Sequence, residues 1–393
     1  MTKKLNIGLF GFGVVGHGLY DVLNQTQGTK AHIHNICVKD RTKPRSLSPE
    51  HFTFEKEDIL NNDEIDIVVE LIDHADEAFE IVSTALKKGK AVVTANKKML
   101  AERFQELFAL QHEHRVPLLY EAATCGSIPI IRNLEEYYDN DFLNALEGIF
   151  NGTTNYILTK VFEENKTYQE VLQAAQTLGF AESDPTLDVE GFDAKFKLCI
   201  LMAHAFGVFI RPEEVFNYGI SKLSVHDIQY AREKGLKIKL VAHGRKHGEK
   251  LGVYVMPQFV NQGHLLYNVH NEYNGVVVEA LFSDKQFFLG KGAGSHPTAS
   301  AVLSDIAALT YNYQYEYKKV HQPINLRYST DLELKVYFRY SHQDQLQRLR
   351  FTAILERYEG QTFCYVIGTL QLSELVNSGI EKEEGVFLVQ VLN

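Results

Sequence analysis

Over the first 120 residues, short apolar runs alternate with longer segments of helical period. Residues 5–10 read as a buried strand, 14–25 as a helix and 31–38 as an alternating strand, followed by a polar loop at 39–45. Residues 65–71, 91–94 and 116–120 read as further strands, with helices over 77–88 and 98–113. Strands alternating with helices predict a mostly parallel sheet covered on both faces. After about residue 140 the rhythm changes. Residues 143–150 read as a strand, 155–164 and 167–178 as helices, and 193–206 as a strongly apolar helix. Residues 236–289 read as strands with turns and 297–312 as one more helix. In the tail, 332–340, 351–358 and 385–392 read as strands and 372–378 as a short helix. The expected fold class is α/β. A Rossmann-type dinucleotide-binding domain covers 1–135, with a helix at 297–315 packing back on it. An α+β domain follows over 136–320, and a small α+β module over 331–393.

Length and charge narrow the function classes. A chain of 393 residues allows about two or three domains. With 40 basic against 50 acidic side chains, the net charge is −10. That is a poor footprint for nucleic acid or for an anionic membrane surface. No apolar run approaches a membrane span, and the start lacks a signal-peptide core. Cys37, Cys125, Cys199 and Cys364 are widely spaced, which argues against a disulfide framework or a zinc site. The expectation is a cytoplasmic protein acting on a small molecule, without nucleic-acid or membrane partners.

Gly11, Gly13 and Gly16 follow the first strand and open the first helix, as in the dinucleotide fingerprint. The first glycine permits a tight turn, the second admits the pyrophosphate, and the third lets helix and strand pack closely. Val14 and Val15 then lie at the helix N-terminus, which favours phosphate. A purely structural glycine turn is the plainer alternative. At the end of the second strand Asp40 is flanked by Lys39 and Arg41, with Lys43 and Arg45 beyond. Cations there suit a 2′-phosphate and hence NADP; a solvated basic loop reads equally well.

Three more segments concentrate polar chemistry. Thr94-Ala95-Asn96-Lys97 stands at the carboxyl end of a parallel strand, where ligands of open α/β sheets bind. Residues 179–197 carry five acids and lead into the apolar helix, where Asp193 and Lys197 share a face at i and i+4. A lysine on a buried helix beside acids invites a catalytic role; an ion pair at the rim is the alternative. Residues 290–300 bring three alternating glycines and Pro297 to a helix start.

Gly11–Gly16, Thr94–Lys97, the run Asn151-Gly152-Thr153-Thr154-Asn155-Tyr156-Ile157-Leu158, the 182–197 block and Gly292-Ala293-Gly294 with Pro297–Ser300 together resemble homoserine dehydrogenase over about residues 5–320. The resemblance implies NAD(P)H-dependent reduction of L-aspartate 4-semialdehyde to L-homoserine, on the route to threonine and methionine. It places the family's catalytic lysines at Lys197 and Lys97, with Lys197 as the proton donor. Substrate-binding acids fall at Glu182 and Asp193, with Asp188 in support, and cofactor contacts extend to Thr94, Gly179 and Gly292. A monovalent cation such as sodium is implied at Glu121, Thr124, Gly126 and Ile128. Cys125 and Ser127 stand where the family commonly has glycine, and Ile72-Asp73-His74 replaces a small turn. The resemblance further implies a homodimer or homotetramer, with 136–320 the catalytic and dimerisation domain. The tail matches an ACT-like module in length and strand content. No kinase is expected ahead of residue 5.

Two rivals differ in class. One is a semialdehyde dehydrogenase forming a thioester at Cys125. The other is a non-catalytic effector-binding homologue. Both leave Lys97, Lys197, Glu182 and Asp193 without a joint role.

Overall fold

A computed structural model describes residues 4–26, 28, 30–140, 142–179, 181–322 and 325–392. The chain forms two compact units. The first comprises residues 1–139, 203–209 and 290–321; the second comprises 140–202, 210–289 and 322–393.

In the first unit six strands form one parallel sheet. They are β1 (Leu5–Phe10), β2 (Ala31–Cys37), β3 (Phe52–Thr53), β4 (Ile67–Glu70), β5 (Ala91–Thr94) and β6 (Leu118–Leu119), in the order β3-β2-β1-β4-β5-β6. That is the doubly wound order of dinucleotide-binding folds. All four residues of β4 are buried, as a strand covered on both faces requires. The strand expected over 116–120 shrinks to Leu118–Leu119, because Pro117 has no N–H to donate and serves only through its carbonyl, to Val92. Helix Ser295–Leu309 belongs to this unit and packs beside helix Val14–Gln25. Gly18 permits the approach: a Cβ there would lie 2.6 Å from Ser295 Oγ.

The second unit is built on a long mixed sheet. Its strands run Asp284–Lys291, Tyr273–Ala280, Leu143–Ile149, Lys237–His247, Lys250–Val260, Phe387–Val391, Glu333–Tyr340, Cys364–Gln371 and Ala353–Glu359. Ile149, Val241, Leu266, Val269 and Val277 pack together in its core. Helix Phe192–Phe206 is apolar on nearly every side and correspondingly buried. The tail is continuous with the sheet, since Gln258 and Phe259 pair in parallel with Gln390 and Val391. Within residues 333–391 the connectivity is β-α-β-β-α-β, and the strands lie in the order fourth, first, third, second.

Three features differ from expectation. Strand Cys364–Gln371 was hidden by Gly368, whose missing Cβ lets the Ala353 carbonyl approach. Helix Val225–Glu233 has a polar sequence, but Ser224 and Asp227 close a capping box that starts it. The strand region expected to end at residue 289 runs on through Gly290 and Lys291; a Cβ on Gly290 would press on Ile128 at 2.8 Å.

Candidate active site

The first unit supplies a cradle at the carboxyl ends of its strands. Gly11 has φ +91°, and a Cβ there would lie 2.7 Å from the Leu71 carbonyl oxygen. Gly16 is needed for close packing, since its Cβ would lie 2.5 Å from the Gly11 carbonyl oxygen. Gly13 differs: nothing stands within 4 Å of its missing Cβ. The protein itself does not require glycine at 13, so the open space fits a pyrophosphate drawn against the backbone. Val14 and Val15 begin the helix, and Val14 is exposed.

Beside this cradle, Thr94 Oγ1 donates to Glu70 Oε2 at 2.5 Å, and the Asn96 amide donates back to Thr94 Oγ1. Burial pushes the Glu70 carboxyl up to about 7. Glu70 also accepts from the Ile72 amide, and Asn96 Nδ2 donates to the Ile72 carbonyl, so the bulky 72–74 turn is held at both faces. Asn96 caps helix Lys97–His114 through the Met99 amide. Lys97 is its first residue, half-buried, with its charge at the end of the helix dipole that disfavours a cation. Lys39 and Arg41 lie exposed past β2. Arg41 pairs with Glu55 at 2.9 Å, and Lys39 lies 3.9 Å from Glu77.

Glu121 is buried, and its two carboxylate oxygens accept from the backbone amides of Ile131 and Arg132. Asp305 is buried beside it, accepting from the Glu121 amide and from Arg132. Burial first, and Asp305 second, push the Glu121 carboxyl up to about 8. Asp305 rises to about 6 through burial, against the pull of Arg132. The segment from Thr124 to Ile128 turns here, with Gly126 at φ +57° lying against Lys291 and Gly292. No cluster of three or more His, Cys, Asp or Glu ligands occurs among the described residues.

In the second unit, Asp193 and Lys197 lie one turn apart on helix Phe192–Phe206, both buried. Lys197 Nζ donates to Asp193 Oδ2 at 2.7 Å and to the Phe150 carbonyl at 2.7 Å. Asn151 Nδ2 donates to Asp193 Oδ2 at 2.9 Å and to Asp188 Oδ1 at 2.6 Å. Thus Lys197, Asp193 and Asp188 share one network. Glu182 stands outside it, exposed, on the loop after helix Tyr168–Thr177; its backbone carbonyl accepts from Gln176. Gly179 ends that helix at φ +78°, a left-handed stop that favours glycine.

Sequence reasoning missed Asn151, Glu70 and Asn274. Asn151 had a signal: asparagine caps helix Gly152–Glu164 through the Thr154 amide, so the helix begins three residues before residue 155. Glu70 is the lone acid of an apolar strand. Asn274 carries no sequence signal.

Comparison with known proteins names this chemistry. The family model "Homoserine dehydrogenase, NAD binding domain" matches residues 11–121, and the model "Homoserine dehydrogenase" matches residues 129–307. The chain is similar to homoserine dehydrogenase of Bacillus subtilis, 39% identical over 319 residues that make up 79% of this chain and 74% of that one. It is also similar to a crystal structure of a homoserine dehydrogenase from Thiobacillus denitrificans, with TM-score 0.88 and 30% identity over 100% of this chain and 99% of the other. A hyperthermophilic archaeal homoserine dehydrogenase in complex with NADPH covers 80% of this chain and 99% of its own, at 26% identity and TM-score 0.69. Neither the thiol enzyme nor the non-catalytic homologue finds support in these matches. A dinucleotide cradle, a buried lysine held between acid and carbonyl, and relatives that match across both units lead to one family: the chain belongs to the homoserine dehydrogenases, NAD(P)-dependent oxidoreductases acting on a CH–OH group.

Proposed function

We propose that this chain reduces L-aspartate 4-semialdehyde to L-homoserine, with Lys197 giving the proton to the developing alkoxide. The observation that carries this assignment is the Lys197 ammonium, buried and held by Asp193 Oδ2 and the Phe150 carbonyl. Bound NAD(P)H supplies the hydride. In the reverse direction Lys197 accepts the proton of the homoserine hydroxyl. Lys97 completes the catalytic pair by meeting the substrate near the nicotinamide end of the cradle. Glu182 and Asp193 bind the substrate, with Glu182 taking its ammonium group and Asp188 steadying Asp193 through Asn151.

Gly11, Gly13, Val14, Val15, Gly16, Thr94, Lys97, Gly179 and Gly292 form the cofactor contacts in this reading, and Lys39 and Arg41 receive a 2′-phosphate. Arg41 lies over the Phe54 ring at 4.6 Å and keeps its charge at the end of β2, which supports the last assignment. A kinetic comparison of NADPH and NADH with aspartate semialdehyde tests it together with the activity. Homoserine should form in step with cofactor oxidation, and the pair K39E/R41E should raise the KM for NADPH about tenfold with little change for NADH. Cofactor oxidation that does not depend on the semialdehyde removes the functional reading; equal losses with both cofactors remove the phosphate assignment.

A monovalent cation fits beside Glu121. Two buried acids, Glu121 and Asp305, face one guanidinium, Arg132, so a single positive charge balances them. The carboxylate of Glu121 and the carbonyls of Thr124, Gly126 and Ile128 are hard oxygen donors of the kind such an ion takes. Glu121 is raised from 4.5 to about 8, so it binds its proton more tightly folded than unfolded. Its share of stability is therefore full below about pH 4.5 and lost as pH rises toward 8. In sodium-free buffer the melting temperature should fall between pH 5 and 8, and sodium should restore it most at pH 8. Sodium without effect there, with choline as the ionic-strength control, removes the cation.

The β-α-β-β-α-β order of residues 333–391 supports an ACT-like module. Exposed Phe142 and Phe282, meeting edge to face at 5.0 Å, support self-association as a homodimer or homotetramer. Free cysteines throughout fit a reducing cytoplasm. No helix among the described residues is long and apolar enough to cross a membrane.

A further inference from the structure

We propose that two buried amides, Asn151 and Asn274, are positioning residues that aim the Lys197 ammonium. The inference rests on Lys197 as the proton-transfer group and deepens it. An ammonium has three N–H bonds in fixed tetrahedral directions. Two of them are committed, one to Asp193 Oδ2 and one to the Phe150 carbonyl oxygen. Fixing two directions fixes the third, which is then the only one left for substrate.

Each acceptor is itself held by an amide. Asp193 Oδ2 takes a second hydrogen bond from Asn151 Nδ2 at 2.9 Å, and the Phe150 carbonyl takes a second from Asn274 Nδ2 at 3.1 Å. Asn274 is fully buried, near the start of strand Tyr273–Ala280, and its Oδ1 has no hydrogen-bond partner among the described residues. A strand interior disfavours asparagine, and a half-satisfied buried amide is costly. Its one hydrogen bond supports the carbonyl that holds Lys197.

A third asparagine, Asn155, braces the approach to Asn274. Asn155 Nδ2 lies within 3.2 Å of the carbonyls of Val269, Asn271 and Tyr273, and Asn155 Oδ1 accepts from the buried Lys239 at 2.9 Å. The run Asn151-Gly152-Thr153-Thr154-Asn155 thereby gains a physical meaning. Its first asparagine holds the acid side of Lys197, and its last holds the loop that delivers Asn274 to the carbonyl side.

The test is steady-state homoserine oxidation in N151S, N274L and N274S, with kcat and KM separated. Serine at 151 keeps a good helix cap but cannot reach Asp193. Leucine at 274 keeps the volume, and serine there is a second choice should leucine disturb folding. Thermal unfolding selects the folded variants. We expect kcat to fall about ten- to a hundredfold, with homoserine KM within about threefold. Folded variants with wild-type kcat, or with a loss confined to homoserine KM, overturn the inference, provided folded K197M has lost turnover. If folded K197M turns over normally, the Lys197 reading itself has failed.

Discussion

Replacing Lys197 by alanine should lower turnover by about 10² or more, the usual scale for losing a general acid. The side chain is 8% exposed and its partner Asp193 2%, so the truncation also leaves a carboxylate in a dry site without its cation. Breaking a buried pair in this way costs about 3 kcal/mol of stability. Activity and folding therefore have to be separated. K197M keeps most of the volume and removes the charge, whereas K197R keeps the charge and changes where the protons point. Both should be as inactive as alanine, because the reaction needs a proton at one atom and not merely a positive charge. Steady-state turnover in both directions, beside melting temperatures, checks this. Near-normal turnover in folded K197M removes Lys197 from the mechanism, and recovery by arginine would reduce its role to electrostatics.

How far the sequence led can be judged residue by residue. The helix of residues 14–25 and the strand of 5–10 were legible to the residue, because a short, largely apolar run meets a glycine turn that opens a helix. Asp193 and Lys197 were legible as a pair because i and i+4 share a helix face whatever surrounds them. Their partners were not. Asn151 is 42 residues from Asp193 and Asn274 is 124 from Phe150, and such long-range contacts are set by the fold rather than by local period. Glu182 illustrates the converse. Its importance came from resemblance, and the structure leaves it exposed and outside the Lys197 network. The tail was legible as small α+β texture, but not as part of one sheet, since that depends on Val391 meeting Phe259.

The glycines of the fingerprint offer the second large effect, and they should separate folding from cofactor binding. In G16V the new Cβ would sit 2.5 Å from the Gly11 carbonyl oxygen, inside any real contact distance, and helix Val14–Gln25 would have to move off its strand. Overpacking of this kind costs about 1–3 kcal/mol. A large loss of melting temperature should therefore appear with or without NADPH. G13V should behave in the opposite way. Gly13 has φ −87°, which any residue tolerates, and no atom lies within 4 Å of its missing Cβ. The fold should keep its stability to within about 0.5 kcal/mol, while the valine fills the space a pyrophosphate would use. The KM for NADPH should rise at least about tenfold, since each 1.4 kcal/mol of lost binding is a factor of ten, and the upward shift of melting temperature on adding NADPH should shrink or vanish. Thermal unfolding at several NADPH concentrations reads both effects in one experiment. A G13V protein that is stabilised by NADPH as strongly as the wild type would show that residue 13 does not face the cofactor, and the cradle would then have to lie elsewhere along the carboxyl ends of β1, β4 and β5.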